Sequence, residues 1–325
     1  MKIIVAGASG FIGGRLCNFL ADEGFEIIAL CNNHVPEDSV WKNKMSEIIK
    51  VDITSADDFL SVAGLDADVI INLVSLDHLD SNGKPDKVAG VNILPTWNFL
   101  HHYSKIGLRK FIYLSTIHIY GNQLDGLIKE DSPAAPVNPY GLTHFLSEQI
   151  VGLFARTTDI ECYNIRLSNG FGAPQFTANK CWDLVINNLC FSAWDNQNIV
   201  LNSDGTSFRD FINITDLLTG ILQIINFSGS PEKKEVNTLN FSTKMTISML
   251  DVAIQVREVY EMKYNKIASI YINRNQLVDF LPIESSANYL IDNSAFLELM
   301  ENNMLHDLRF GINEIFDFLD NSKKI

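Results

Sequence analysis

The sequence has 325 residues, of which 46% are hydrophobic and 20% are charged, a composition typical of a globular protein with a large core. The formal net charge of -14 opposes binding to nucleic acid and to anionic membrane surfaces, because like charges repel at long range. No apolar run approaches the length needed to span a bilayer. We therefore expect neither nucleic acid nor a membrane as a partner.

The five cysteines are odd in number and contain no Cys-x-x-Cys pair, which predicts reduced, mostly buried thiols rather than disulfides or a zinc site. No metal site is predicted. The first strand begins at residue 2, which leaves no room for a cleaved signal peptide, and this predicts a cytoplasmic protein.

The apolar run at residues 2–6 predicts a buried parallel strand, because it lacks the alternation of a half-exposed one. Gly7, Gly10 and Gly13 follow at three-residue spacing and lead into an amphipathic helix. Such glycines permit a tight turn, a close approach of the backbone to a pyrophosphate, and close packing of the helix on the strand. The helix N-terminus favours negative charge. We predict a dinucleotide site; the alternative is an ordinary corner between a strand and a helix.

Strands and helices alternate through the rest of the first half. Further strands are predicted at residues 26–30, 48–51, 68–74, 111–115 and 162–167, and helices at residues 88–105 and 140–156. Alternating units of this length predict an α/β protein with a doubly wound parallel sheet, in which ligands bind at the carboxyl ends of the strands.

From about Asn169 the pattern changes to longer helices, polar loops and short strands. We interpret residues 1–168 as a dinucleotide-binding domain and residues 169–325 mainly as a smaller substrate-binding lobe, with segments near residues 208–245 returning to the first domain. The substrate would lie in the cleft between them. Helices in this half are predicted at residues 181–193, 214–226, 247–262 and 296–302.

The end of the second strand bears on the choice of cofactor. An acidic residue near this position bonds the adenosine ribose in NAD sites, whereas an arginine usually marks the 2′-phosphate of NADP. Here the strand ends in Cys31-Asn32-Asn33-His34, which contains neither. The sequence therefore leaves NAD and NADP open.

Several short segments, in their order and spacing, resemble one known family. They are the glycine turn, Val51-Asp52-Ile53, Val91-Asn92, residues 114–121, Tyr140-Gly141-Leu142-Thr143-His144, residues 165–174, and Arg209-Asp210-Phe211 followed by Asp216. The chain resembles the NAD-dependent epimerase/dehydratase family of extended short-chain dehydrogenases/reductases, which modify nucleotide sugars. The resemblance implies a Rossmann-type sheet with a smaller C-terminal substrate-binding lobe.

The resemblance also implies catalytic roles for three residues. Tyr140 would exchange a proton with a sugar hydroxyl or ketone while a hydride moves to or from the nicotinamide, and Thr116 would bond the same oxygen. His144 stands at the position of the family's lysine. A phenol needs a lowered pKa, or a well-placed partner, to act as a base near neutral pH.

The binding residues are implied in the same way. On the substrate side they are His118, Asn169 and Arg209, the last because a forked guanidinium suits the substrate diphosphate. At the cofactor, besides Tyr140 and His144, they are Gly7, Gly10, Phe11, Ile12, Gly13, Asn32, Asp52, Ile53, Leu73 and Asn92.

His144 departs from the family pattern, which has lysine four residues after the tyrosine. Residues 140 and 144 share one face of a helix, so the imidazole points the right way. It is shorter than a lysine side chain and is largely neutral above pH ~6.5, so it offers less fixed positive charge. Either its N–H bonds the nicotinamide ribose and His144 works in catalysis, or it is a polar helix residue and catalysis is weakened or lost.

The two residues after Thr116 narrow the choice among the reactions that the resemblance implies. Family 4,6-dehydratases have Asp-Glu there, whereas this chain has Ile117 and His118. Ile117 cannot transfer a proton, so dehydration is not expected, and His118 is either an auxiliary acid or base or a histidine packed beside the strand. The resemblance implies a 4-ketoreductase or 4-epimerase that acts on a nucleotide-diphosphate sugar in surface-sugar biosynthesis and forms a homodimer. The alternative is a catalytically weak or silent sensor that binds a dinucleotide or a sugar nucleotide.

Overall fold

The structure is a computed structural model that describes residues 1–122, 124–227, 234–274, 276–278, 287–300 and 304–322. Within these residues the helices are α1 (Phe11–Asp22), α2 (Ser39–Lys44), α3 (Ala56–Leu60), α4 (Pro85–Asn92), α5 (Leu94–Tyr103), α6 (Pro139–Thr157), α7 (Val185–Asn196), α8 (Ile214–Asn226), α9 (Met249–Tyr264), α10 (Ser294–Leu299) and α11 (Leu308–Ser322).

The strands of the same residues are β1 (Lys2–Ala6), β2 (Glu26–Cys31), β3 (Glu47–Lys50), β4 (Val69–Asn72), β5 (Lys110–Thr116), β6 (Gly126–Ile128), β7 (Glu161–Leu167), β8 (Asn169–Phe171), β9 (Asn198–Val200), β10 (Phe208–Asn213), β11 (Asn237–Phe241), β12 (Thr246–Ser248), β13 (Ser269–Ile272), β14 (Gln276–Leu277) and β15 (Tyr289–Ile291). Short 3-10 turns cover Asp80–Asn82 and Ile117–Tyr120.

In the described part of the chain, the largest sheet has seven parallel strands in the order β11-β7-β5-β4-β1-β2-β3. The order reverses beside β1, because the chain crosses from β3 back to β4 on the other side of β1. Such a switch leaves a crevice outside the carboxyl ends of the strands. The doubly wound parallel sheet expected from the sequence is confirmed.

Hydrophobic layers cover both faces of this sheet, because its strands are apolar on both sides; Ile3, Ile4 and Val5 are each 0% exposed. One layer contains α1 and α8, and the other contains α3, α5 and α6. Helix α8 comes from the second half of the chain, and β11 from the same half pairs with β7 at the edge of the sheet. Helix α8 therefore extends a layer, and β11 extends the sheet, that the first half of the chain builds.

The C-terminal part has its own hydrophobic cluster, formed by α7, α9 and α11 with β9 and β13. Strand β8 begins at Asn169, two residues after β7 ends, and β10 pairs with it in parallel. This continuity sets Asn169 and the start of β10, with Arg209, beyond the carboxyl end of β7. The C-terminal part thus adjoins the crevice of the main sheet.

The predicted helices differ from the structure in their extent. The helix predicted at residues 88–105 is two helices, interrupted at Ile93, because Pro95 lacks an N–H and its ring clashes with the carbonyl of residue 91. The helix predicted at residues 247–262 begins at Met249, because residues 246–248 pair with β10 and Ser248 caps the helix. Two others are observed at Val185–Asn196 and Ser294–Leu299, and residues 301–302 of the second prediction lie outside the described residues.

The five cysteines are free and buried, as the sequence predicts. Within the described residues, no helix has the length and the apolar character that crossing a bilayer requires.

Candidate active site

The glycine turn after β1 brings backbone unusually close to backbone. Gly7 has a φ of +85°, a conformation that side-chain-bearing residues rarely adopt, and the Gly10 N–H donates to the Gly7 carbonyl at 3.0 Å. A Cβ on Gly13 would lie 2.1 Å from the Gly7 carbonyl oxygen, so α1 packs on the turn as only glycine allows. Because Gly10 has no side chain to cap α1, the first amides of the helix stay available. A pyrophosphate fits this cradle in space and in charge.

A cleft of about 300 Å³ lies at the carboxyl ends of the central strands. Its wall contains the glycine turn, the end of β5 and the start of α6, so residues from opposite ends of the first domain share one cavity. The sequence-predicted site residues that line this cleft are Gly7, Gly10, Phe11, Ile12, Gly13, Leu73, Thr116, Tyr140 and His144.

Four residues predicted at the cofactor lie outside the lining of the cleft, and three of them, Asn32, Asp52 and Ile53, follow the second and third strands. Asn32 is exposed, directly after β2. Asp52 accepts hydrogen bonds from the N–H and the hydroxyl of Thr54, at 3.0 and 2.7 Å, and so caps its own turn. Ile53 is buried in the core beneath it. In this structure Asp52 bonds within its own turn and Ile53 belongs to the core, while Asn32 lies exposed beyond the second strand.

Asn92 is buried and lies behind the wall of the cleft. Its Oδ1 accepts from the Leu76 N–H at 2.8 Å, and its Nδ2 donates to the Thr143 hydroxyl at 2.9 Å and to the Ser81 hydroxyl at 3.4 Å. These bonds hold the loop after β4 against α6, the helix that carries Tyr140. Asn92 thus acts on the cleft through the elements it joins.

The residues predicted on the substrate side also lie outside the cleft lining. The Asn169 side chain donates to the Asp210 carbonyl at 2.7 Å, which joins β8 to β10. Arg209 is exposed on β10. The positive charge of Arg209 adds to the lowering of the His118 pKa that desolvation and His78 cause.

Tyr140 and Thr116 meet at the floor of the cleft. Tyr140 lies in the first turn of α6, which the Asn138 side chain caps by accepting from the Gly141 N–H at 2.8 Å. Desolvation raises the pKa of the Tyr140 phenol, the Thr116 hydroxyl opposes this shift, and Asp77 adds to it. The phenol is therefore protonated at neutral pH and needs a nearby positive charge to act as a base.

His144 is 2% exposed, and both of its ring nitrogens have protein partners. Nδ1 lies 2.9 Å from the Tyr113 hydroxyl, and Nε2 lies 3.0 Å from the Ser75 hydroxyl. Burial, together with His118, lowers the pKa of His144 to about 3. The imidazole is therefore neutral and does not supply the fixed positive charge of a lysine, although its ring is only 4.6 Å from that of Tyr140.

Two further imidazoles lead from Tyr140 to the surface. The rings of His118 and Tyr140 are 5.6 Å apart, and the exposed His78 stacks on His118 at 5.8 Å. Desolvation lowers the pKa of His118, and His78 adds to this shift. His118 is thus neutral near pH 7, and ionisable rings connect the Tyr140 phenol with solvent.

A buried ion pair fixes the helix that bears Tyr140. The Arg166 guanidinium on β7 donates to the Glu148 carboxylate on α6 at 2.8 Å, and the Ser115 hydroxyl on β5 donates to the same carboxylate at 2.5 Å. Ser115 directly precedes Thr116. This network therefore sets the distance between the two predicted catalytic residues.

Sequence reasoning missed this ion pair, and it assigned no role to Ser75 and Asp77 of the cleft lining or to Tyr113, which bonds His144. Ser75 and Asp77 line the cleft after β4, and their polar character at the carboxyl end of a parallel strand was a usable signal. Tyr113 lies inside the apolar run of β5, where no sequence pattern distinguishes a bonded hydroxyl from an ordinary core tyrosine.

A family model and individual known proteins that are similar to this chain agree with one another. A model of the NAD dependent epimerase/dehydratase family matches residues 3–238. A putative UDP-glucose 4-epimerase of Methanocaldococcus jannaschii is 26% identical over 245 residues, covering 73% of this chain and 79% of that protein. A dTDP-glucose 4,6-dehydratase of Streptomyces antibioticus is 26% identical over 261 residues, covering 76% of this chain and 74% of that protein.

A solved structure extends the likeness to the whole chain. The UDP-glucuronic acid 4-epimerase of Bacillus cereus, in complex with UDP-glucuronic acid and NAD, has a TM-score of 0.77 and 23% sequence identity. The match covers 99% of this chain and 100% of that one. At this identity the likeness concerns the fold alone, and the relatives include both epimerases and dehydratases.

Proposed function

Because the chain belongs to the NAD-dependent epimerase/dehydratase family, we propose that it is an NAD-dependent 4-epimerase of a nucleoside diphosphate sugar. The observation that carries this proposal is one cleft lined by both the glycine turn and the pair Tyr140–Thr116. That arrangement supports the transfer of a hydride and a proton from the same carbinol. The family's dependence on NAD favours NAD over NADP.

In this reaction Tyr140 handles the proton. In its deprotonated form the phenolate oxygen takes the proton of the C4 hydroxyl as the C4–H bond breaks, and the phenol so formed returns the proton to the ketone oxygen when the C–H bond re-forms on the opposite face. The Thr116 hydroxyl bonds the same sugar oxygen and holds it beside the phenol. The dinucleotide, when bound, supplies the oxidant that takes the hydride from C4 and the reductant that returns it.

Two features distinguish the proposed epimerisation from dehydration and from 4-ketoreduction. Dehydration needs a proton donor beside Thr116, and Ile117, 8% exposed and packed in a small core cluster, offers none. A 4-ketoreductase would use the same pair of residues but would exchange its dinucleotide after each turnover. Retention of the cofactor therefore distinguishes the epimerase from the reductase.

The catalytically silent sensor remains the second candidate, and one observation favours it. The pKa of Tyr140 is raised, and the neutral His144 beside it supplies no cation to lower that pKa. A protein that only senses a sugar nucleotide would keep the cleft without a working base. The epimerase proposal therefore requires that the positive charge of the oxidised nicotinamide lower the Tyr140 pKa.

The first experiment identifies the cofactor and then the turnover. We expect denaturation of the purified protein to release NAD near one per chain, detected by mass spectrometry. NMR should then follow the interconversion of UDP-glucose and UDP-galactose, and Tyr140→Phe should lower kcat by at least about 100-fold, the typical contribution of a positioned acid or base. Tyr271→Phe, on β13 in the C-terminal part, is the matched control and should leave kcat unchanged.

Other results would redirect the proposal. An empty protein that binds NADPH and reduces a 4-keto sugar nucleotide is a ketoreductase. Cofactor retention with no turnover of UDP-, dTDP- or GDP-hexoses, and no loss of binding in Tyr140→Phe, supports the sensor.

We further propose that residues 169–325 form most of the substrate lobe and that Arg209 holds the diphosphate of the sugar nucleotide. Its exposure and its forked positive charge support this, and Arg209→Ala should raise KM more than it lowers kcat. A surface-sugar substrate and a cytoplasmic location belong to the same proposal.

Helices α5 and α6 support a homodimer. They pack side by side and expose large apolar side chains, of which Trp97 is 47% exposed and Leu146 is 41% exposed. On α6, Leu146 shares one helix face with the exposed Leu142 and Leu153. We propose that this face meets its copy in a second chain. Light scattering should give twice the mass of the chain, and Trp97→Glu with Leu146→Glu should give a monomer.

A further inference from the structure

Three side chains around the cleft form a continuous line of hydrogen bonds. Tyr113 on β5 bonds His144 on α6 at 2.9 Å, and His144 bonds Ser75, in the loop after β4, at 3.0 Å. Ser75 in turn donates its hydroxyl proton to the Leu76 carbonyl at 2.7 Å. We call Tyr113, His144 and Ser75 the relay.

The direction of the relay follows from the donors available. The Ser75 proton is used on the Leu76 carbonyl, so the bond between Ser75 and His144 requires the proton on Nε2 of the imidazole. A neutral imidazole has one N–H, so Nδ1 is an acceptor and the Tyr113 hydroxyl donates to it. Each link therefore points from the buried Tyr113 toward Ser75.

The open end of the relay lies at the cleft. A hydroxyl oxygen has two lone pairs and one proton; Ser75 has given its proton to Leu76 and filled one lone pair with His144. Tyr113 and His144 are 1% and 2% exposed, whereas Ser75 is only half-buried and lines the cleft. The second lone pair of Ser75 is thus an acceptor available to a ligand.

We propose that Ser75 binds a hydroxyl of the nicotinamide-side ribose, and that the relay holds this acceptor in place without any fixed charge. The inference rests on the proposed function, because it takes the cleft to hold a dinucleotide. It assigns ribose binding to a hydroxyl that the sequence did not mark, and it makes Tyr113 and His144 positioning residues.

The experiment compares three ligands that differ in the ribose. NAD⁺ and ADP-ribose contain the second ribose, whereas ADP contains only the adenosine half and the diphosphate. Isothermal titration with protein stripped of endogenous nucleotide should show that Ser75→Ala weakens NAD⁺ and ADP-ribose about fivefold, the worth of one hydrogen bond, and leaves ADP unchanged. Ser75→Thr keeps the hydroxyl and should retain the affinity for ADP-ribose.

A second measurement tests the relay in the free protein. Nitrogen-15 NMR of the histidine rings, assigned by the signal that His144→Gln removes, should show a proton on Nε2 and none on Nδ1. Ser75→Ala, which removes the acceptor of the Nε2 proton, should weaken this preference while the thermal unfolding transition stays cooperative.

The outcomes separate the two proposals. Suppose that the wild-type protein binds ADP, but Ser75→Ala weakens the affinity for all three ligands equally or for none of them. Ribose binding by Ser75 is then overturned, and the dinucleotide cleft remains intact. A proton on Nδ1 would reverse the direction of the hydrogen bonds in the relay, and it would also overturn the proposal that Ser75 offers an acceptor held in place by the relay. Failure of the wild-type protein to bind either ADP or NAD⁺ would overturn the proposed function, and the relay's role with it.

Discussion

Removing one partner of the buried ion pair between Glu148 and Arg166 should destabilise the protein far more than removing both. The two residues are 3% and 7% exposed, and the guanidinium donates to both carboxylate oxygens at distances from 2.8 to 3.2 Å. Glu148→Ala leaves Arg166 buried with only the Tyr120 hydroxyl and the Glu130 carbonyl. An uncompensated buried charge costs about 3–5 kcal/mol, and since the unfolding entropy of a chain of this length is about 0.7 kcal/mol/K, we expect the melting temperature to fall by about 4–7 °C.

The double substitution of Glu148→Leu with Arg166→Met tests the physical reason. Because no charge is then left buried, its cost should be about 1 kcal/mol or less, although it removes more hydrogen bonds. The control is the exposed pair between Arg309 and Glu258, whose side chains are 44% and 43% exposed. Glu258→Ala should cost less than about 1 kcal/mol, since solvent already screens that pair.

The assay is thermal unfolding by circular dichroism, supplemented by titration with NAD⁺ at 10 °C, where all variants are folded. The network positions α6 against β5, so Glu148→Ala should also weaken turnover more than it weakens dinucleotide binding. If the single substitution costs under about 1 kcal/mol, or the double substitution costs as much as the single one, the buried-charge argument is refuted.

The remaining predictions concern the glycine turn and the neutral histidine. Gly13→Ala should abolish NAD⁺ binding in titration, because its Cβ would meet the Gly7 carbonyl at 2.1 Å, whereas Gly90→Ala, with no atom within 4 Å of the added carbon, should bind normally and gain up to about 1 kcal/mol. Equal binding by both variants would contradict the cradle. The pKa of His144 is about 3 in the folded chain and ~6.5 when unfolded, so the unfolded state binds more protons between these values. Stability should therefore be constant above pH 6.5 and fall below it, by about 2 kcal/mol at pH 5, and His144→Gln should flatten this slope in urea unfolding curves. An unchanged slope would show that His144 does not titrate in this way.

Much of the fold was predictable because it depends on spacing along the chain. The apolar run of β1, the three glycines and the alternation of strands and helices are local patterns, and the sheet they predict is observed. Helix ends were harder to predict. The strand at Thr246–Ser248 exists because it pairs with β10, and such pairing overrides local helix propensity.

The sequence also predicted that a ligand would bind at the carboxyl ends of the strands, and the structure has a cleft there. The resemblance implied Tyr140 and Thr116, and in the structure both line the same cleft as Gly10. Their roles in turnover remain predictions. The roles of Asn169 and Arg209 depend in addition on where the C-terminal part lies, which local patterns do not specify.

The sequence by itself determined that the lysine position is occupied by His144 and that this histidine shares a helix face with Tyr140. Only the tertiary structure decided the charge of that histidine. Its two partners, Tyr113 on β5 and Ser75 in the loop after β4, are 31 and 69 residues away in the chain, and the imidazole is buried between these segments and α6. An imidazole titrates according to its solvation and its hydrogen bonds, and both are set by contacts between distant segments.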